Sequence, residues 1–430
     1  MFNKNNDIEI KNNGLLIIHP PAISVGDGIT RISANLESPL GVEQLWYEVK
    51  SEYSHWISNE TSDAFLVAIL IYAMKNKLNI HVKGSVSSRL HYNINLYLME
   101  IIKKLISKSS AIDISADQLI RTNWGGVEVF TGFSAGVDSF CTVNEHLECH
   151  IPVEYRVTAL LLNNVGSHGQ GVRDQDIFKE RFIRLEHVAE KLELPMFWIN
   201  SNLDSVLKTD FQLTHTIRNV SVALLLQKGC GKYLYSSAVH YTDGFVRETH
   251  DMGYADAVTL NLFSTETTEC ISSGGQYTRF QKTELIADCL IAQKSLDVCV
   301  APQNAVKINC STCWKCLRTQ LTLEIIGKLD GFNDVFEVDK YMKMRFIFIC
   351  NVLTSNVPLS VEIKSTMTKR GFSVPVRARI VAFLLSNKVI DGIEKFYAAS
   401  ISTDIGFFTY FKTIFLNKIT AKIYKLKNNK

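Results

Sequence analysis

The residues that decide the fold are Val127-Glu128-Val129-Phe130-Thr131-Gly132-Phe133-Ser134-Ala135-Gly136-Val137-Asp138-Ser139. A β-branched and aromatic run, Val127 to Thr131, predicts a strand. It stops at a turn of small residues, and the segment beyond is compatible with a helix. A strand that delivers a small-residue loop to a helix N-terminus suits an anion, because backbone N–H groups line a concavity and the helix adds partial positive charge. Ser134, Ala135, Gly136, Val137, Asp138 and Ser139 are therefore candidate phosphate-binding residues. Asp138 and Ser139 can also hold a metal ion and a phosphate oxygen. The spacing is neither that of a Walker loop nor that of a dinucleotide-binding turn. An ordinary strand-to-helix turn has the same composition and stays open at this point.

Downstream, short apolar runs alternate with helical patterns. Strands are predicted at Val157–Leu162, Met196–Ile199 and Tyr233–Ser237, and helices near Gln175–Leu192 and Thr214–Gln227. This alternation predicts an α/β fold, a doubly wound and mostly parallel sheet whose ligands bind beyond the carboxyl ends of the strands. Three further stretches fall at such ends. Residues 163–171 carry His168 and Gln170, and a flexible surface loop is the equal alternative. Arg218 and Asn219 open the helix at Thr214, where a cation and an amide would face the cleft. His240, Asp243, Arg247 and His250 cluster in sequence after Ser237, and ordinary loop polarity is the slightly better reading there.

The second strong signal is Cys299 followed by Cys310-Ser311-Thr312-Cys313-Trp314-Lys315-Cys316. Two CxxC steps put three thiolates on a tight turn, and Cys299 can return the fourth across a ten-residue loop. Four thiolates satisfy tetrahedral Zn²⁺ with no open position, which predicts a structural site. An iron–sulfur cluster uses the same ligand set.

The remainder is less specific. Residues 1–125 read as an accessory α/β module, with strands at Leu15–Ile18, Ile29–Leu36 and Asn79–Val82 and helices at Ser62–Met74 and Leu90–Ile106. Trp46, Tyr47, Tyr53 and Trp56 fall at helical spacing and read as buried packing. Residues 126–328 form the central domain, and 329–430 read as a helical region ending in a basic tail over Ile414–Lys430. That tail reads as a packed helix with a solvated lysine face before it reads as a surface for RNA, membrane or partner. A net charge of +3 is too mild to imply a nucleic-acid partner. The first residues lack an apolar signal core, no apolar stretch is long enough to span a bilayer, and the cysteines cluster as in a metal site. A cytoplasmic location is expected.

The Ser134–Ser139 turn resembles the SGGxDS loop of the PP-loop ATP pyrophosphatases, with Ala135 where that family usually has glycine. The Arg218-Asn219 helix start, the Lys282-Thr283-Glu284-Leu285-Ile286 segment and the cysteine order are similar to 7-cyano-7-deazaguanine synthases (the QueC family), over roughly residues 126–325. The resemblance implies a PP-loop (HUP-like, Rossmannoid) fold and an AMP-forming ligase that uses ATP, Mg²⁺ and Zn²⁺. It would adenylate a carboxylate-type substrate and pass the acyl group to ammonia, giving an amide or nitrile. It further implies that Asp138 holds Mg²⁺, that Ser134 and Ser139 bind pyrophosphate, and that Arg218 stabilises the adenylate. The Tyr-Pro-Asp-Cys-Arg stretch that such enzymes carry near the substrate is missing, so the acceptor stays open among a base, a nucleic acid and a protein. Longer QueC-like chains are associated with anti-phage defence islands, which implies a homodimer or a defence-complex partner. A tRNA-thiolating PP-loop enzyme and a catalytically silent nucleotide-binding scaffold are the other two readings.

Overall fold

The computed structural model describes residues 14–167, 172–299 and 306–384. Eleven strands form one sheet: β1 (Gly14–Ile18), β2 (Ala22–Gly26), β3 (Ile29–Ser38), β4 (Gly41–Lys50), β5 (Leu78–Ser87), β6 (Ile114–Ile120), β7 (Glu128–Gly132), β8 (Ala159–Asn164), β9 (Met196–Ser201), β10 (Cys230–Ser236) and β11 (Glu269–Ser273). Their order is β11-β10-β7-β8-β9-β4-β3-β1-β5-β6, with β2 on β3.

From β7 onward every pairing between neighbours is parallel. Numbered from β7, the order across this half is third, second, first, fourth, fifth. Order therefore reverses between β7 and β10, and a strand pair that diverges in this way leaves a crevice at its carboxyl end. The α/β class and the parallel half agree with the sequence pattern. The sheet as a whole is mixed, however, because β1 and β3, β2 and β3, β3 and β4, and β4 and β9 pair antiparallel.

That last pair joins the two halves. Tyr47 lies opposite Ser201, and the Trp46 N–H donates to Asn202 Oδ1 at 2.9 Å. Residues 1–125 thus contribute β1–β6 to the sheet that 126–328 continue, and one compact unit runs to Glu337. Trp46 and Tyr47 sit on β4, and Tyr53 and Trp56 on a short 3-10 helix (Ser51–Trp56), so the four do not share one helix. Strand chemistry won there: the Val42–Val49 alternation is buried only at Leu45, Tyr47 and Val49. Packing does engage them. Tyr47 is fully buried, and Trp56 packs on Phe130 and Phe197.

Helix Asp63–Asn76 is apolar on every side and buried over nearly its whole length, as an enclosed helix must be. It packs on helix His215–Leu225 and shares a core with Phe130, Leu161, Phe197 and Ile199 of the sheet. Leu160, Met196 and Leu162 alternate with these residues and are also buried, so both faces of the parallel half are covered. The expected helix over Leu90–Ile106 forms as two α segments joined by a π turn at Ile94–Leu98.

The second unit begins at Val338. Its described part is three helices, Val338–Thr354, Pro358–Lys369 and Val376–Leu384. The basic tail lies outside the described residues, as do His168 and Gln170. Among the described residues no single helix is long and apolar enough to cross a membrane. The first two helices of this unit reach such a composition only as a pair bent by 103°.

Candidate functional site

The strand ending at Gly132 passes through Phe133 and Ser134 into helix Val137–Leu147. The first helical bond is from Phe140 N to Gly136 O, so the N–H groups of Val137, Asp138 and Ser139 precede it and have no carbonyl partner within the helix. Ala135 takes the left-handed conformation, φ +56°. The alanine therefore holds the backbone shape that glycine gives such loops, at a steric cost. The Gly136 N–H donates to Ser134 Oγ (3.4 Å), and Ser139 Oγ donates to Gly136 O (3.1 Å).

A cleft of about 280 Å³ opens beyond the ends of β7, β8 and β10. Ser134, Asp138 and Ser139 line one wall, with Arg181 beside them, and Asn219 and Tyr235 line another. Asp138 is the electrostatic centre. Arg279 Nη2 lies 2.7 Å from one carboxylate oxygen and Lys282 Nζ 3.2 Å from the other. Burial works to raise the Asp138 pKa, but the two cations outweigh it and hold the carboxyl below its usual range. Both cations sit on helix Arg279–Leu285, which a Thr278–Gln281 capping box starts. Lys282 is buried and also donates to Ser237 O at the end of β10.

Arg218 has a different job from the anion contact expected of it. Its side chain is fully buried and does not line the cleft. Its guanidinium donates to Thr214 Oγ1 (2.7 Å), Val165 O (2.8 Å), Asp204 Oδ1 (2.9 Å) and Thr209 O (2.9 Å). These bonds tie the end of β8 to the segment before the helix. A Cβ added at Gly166, φ +115°, would meet Arg218 Nη1 at 2.3 Å, which makes glycine necessary there. Asn219, one residue on, does line the cleft; it accepts from Asn163 Nδ2 at 3.0 Å. His240 hydrogen-bonds Thr242 and Arg247 lies over the Phe245 ring, so that cluster serves its own loop.

The ligand atoms of Cys299, Cys310, Cys313 and Cys316 lie within 4.8 Å of one another, and the four could hold a metal ion. The Cys310 N–H donates to Cys299 Sγ (3.4 Å) and the Cys313 N–H to Cys310 Sγ (3.3 Å). Such bonds spread thiolate charge around a tetrahedral cation.

The cysteine segment is fastened to the 134–139 loop. The Asp297 N–H donates to Ala135 O at 2.8 Å, and the Asp297 carboxylate pairs with Arg181 (3.3 Å) and with Arg184. Asn309 secures the strap by donating to Leu296 O (2.7 Å) and Val335 O (3.1 Å).

Sequence reasoning missed Arg181, Arg279 and the group His215, Tyr235 and Asp251. The partners that make them a group are not local: His215 stands 20 residues from Tyr235 and 36 from Asp251, and Arg279 over a hundred from Asp138. No protein-family model, curated protein or solved structure matches the chain.

Proposed function

We propose that the chain is an AMP-forming, ATP-dependent ligase that activates a carboxylate and transfers the acyl group to a nitrogen nucleophile. The observation that carries this reading is the Ser134–Ser139 loop at the strand-order reversal, with its free helix N–H groups and a carboxylate bracketed by two cations. Backbone N–H groups of 137–139 with Ser134 and Ser139 hold the pyrophosphate portion of ATP. Arg279 and Lys282 neutralise charge as it leaves. Asp138 is already shared by those two cations, a poor start for a metal ligand, so charge neutralisation is assigned to the cations and no step to Mg²⁺ beyond its delivery with ATP. The four cysteines suit Zn²⁺, which would supply a closed structural site that braces the loop.

The residues favour this over the other two readings. Ala135 keeps the loop in the left-handed shape, which removes the main ground for a silent scaffold. A thiolating enzyme wants a reactive thiol near the loop. Cys141 is the nearest in sequence, and burial pushes its thiol up to about 12. The 7-deazaguanine substrate class, the cytoplasmic setting and a role in anti-phage defence are proposed on the family resemblance alone.

The test is AMP and pyrophosphate release from Mg-ATP with 7-carboxy-7-deazaguanine and ammonium. AMP formation that falls by about 10²-fold in folded Asp138→Asn protein is the expected result. Intact ATP with this and with other carboxylates would sink the reading.

A further inference from the structure

We propose that Tyr235, His215 and Asp251 form a proton relay that opens on the cleft and accepts the proton released when an amine attacks an acyl group activated there. The proposal rests on the ligase reading for its reaction, and on geometry for its existence. Tyr235 lines the same cleft as Ser134, Asp138 and Ser139. Its hydroxyl lies 2.6 Å from His215 Nδ1, and His215 Nε2 lies 3.0 Å from Asp251 Oδ1. The two rings are stacked at an interplanar angle of 11°, and Phe211 flanks the imidazole. The Gly253 N–H donates to the same Asp251 oxygen at 2.8 Å, which fixes the far end.

The tautomer follows from the partners. Burial raises the Asp251 pKa, but the His215 hydrogen bond and charge and the Gly253 N–H more than offset it, so the carboxyl stays ionised and only accepts. His215 Nε2 therefore carries the hydrogen, and bare Nδ1 accepts from the Tyr235 hydroxyl. Thr216 also hydrogen-bonds the phenol oxygen, which keeps a lone pair for a donor in the cleft. A tether between a histidine and an aspartate is often only structural. Here the relay ends on a cleft wall, and the adjoining Ser236 Oγ, also on that wall, is buried without a hydrogen-bond partner among the described residues. That unpaired hydroxyl marks a place where a polar ligand group is missing.

The step balances as follows. The nucleophile's N–H bond breaks as its nitrogen forms a bond to the acyl carbon, and the acyl–O bond to AMP breaks with its electron pair leaving on AMP. The freed proton goes to the Tyr235 oxygen while the Tyr235 proton passes to His215 Nδ1. The resulting imidazolium is held by Asp251 and discharges to solvent, since the Asp251 side chain is 32% exposed.

Two readouts test this. In His215→Gln, single-turnover acyl transfer from the preformed adenylate to ammonium or hydroxylamine should fall about 10²-fold. ATP–pyrophosphate exchange, which precedes the proton transfer, should fall far less. With rates expressed per free amine base, the acid limb of the wild-type transfer rate should disappear in this variant. The titratable groups that face His215 are Tyr235 from β10 and Asp251 and Asp256 from the 250–259 segment, with Tyr233 next to Tyr235 and His250 next to Asp251. Burial, with Asp251 adding to it, pushes Asp256 up to about 7, so Asp256→Asn is the control that must keep the limb. Equal losses of exchange and transfer would make the role structural and overturn the relay. The second readout is ¹⁵N NMR of His215, with Tyr235→Phe for assignment. A protonated Nε2 and a bare, hydrogen-bonded Nδ1 are expected, and the reverse tautomer would overturn the relay even in a protein that never forms AMP. Absent exchange in the wild type would count against the ligase reading alone.

Discussion

The two halves of the sheet meet at β4 and β9, yet every residue lining the cleft comes from the β7–β10 side. The difference lies in strand direction. Parallel strands all end at one edge, so the loops after β7, β8 and β10 converge there. In the β1–β6 half the β2–β4 meander turns back at every strand, and its loops leave at opposite edges. Its polar groups find protein partners instead, some of them across the seam: Arg31 on Glu48, Glu48 on Asn200 of β9, and Asp63 on Ser87 and on Gln227. Equal burial thus yields a scaffold on one side and an opening on the other.

Metal removal should separate the halves most widely. Chelation, or Cys313→Ser, removes the bond network of the cysteine segment, and structural zinc contributes on the order of 10 kcal/mol to such segments. Because the Asp297 N–H binds Ala135 O, the loss should reach the 134–139 loop. Hydrogen exchange followed by mass spectrometry should show residues 297–337 and the 134–139 loop deprotected, with β1, β3 and β5 unchanged. The metal released per chain is read on the same sample. Uniform deprotection across both halves would break the contrast.

A pair of arginines sharpens it. Arg218 is fully buried with four hydrogen bonds, whereas the Arg31 side chain is 43% exposed beside Glu48. Arg218→Met should cost about 3–5 kcal/mol in urea unfolding, because Asp204 and three other acceptors lose their donor. Arg31→Met should cost less than about 1 kcal/mol. Similar costs would mean that the guanidinium of Arg218 is not the tie its geometry describes.

These residues also show what the sequence carries and what it hides. The strand, small-residue turn and helix at 127–147 were legible because each signal is local: β-branching, turn chemistry, then helical spacing. The cysteines were legible because CxxC steps constrain geometry within seven residues. Arg218 was placed on the right helix and given the wrong direction, since a helix start puts neighbours on different sides and Asn219 took the one facing the cleft. The β4 strand was missed because its exposed first half lacks the apolar alternation that marks strands. Arg279, Lys282 and Asp138 meet only after helix Arg279–Leu285 packs on helix Val137–Leu147, a long-range contact that no pattern within either segment announces.

The smallest effect concerns backbone strain at matched φ values. Ala135 (φ +56°) is buried in the loop, and Asp27 (φ +51°) sits in the exposed two-residue turn between β2 and β3, followed by Gly28 (φ +73°). Asp-Gly is the natural filling of such a hairpin, because a short polar side chain tolerates the left-handed region. Alanine tolerates it less well, at about 1–2 kcal/mol. Glycine at 135 relieves that strain but adds about 0.5–1 kcal/mol of unfolded-chain entropy to be lost on folding. Ala135→Gly should therefore stabilise by about 0.5 kcal/mol, and Asp27→Gly should stabilise less or cost a few tenths. Paired urea titrations resolve the difference when read as a shift in midpoint at constant slope. Equal responses would mean that the loop stores no strain at Ala135, and the alanine would then be as comfortable there as aspartate is in the hairpin.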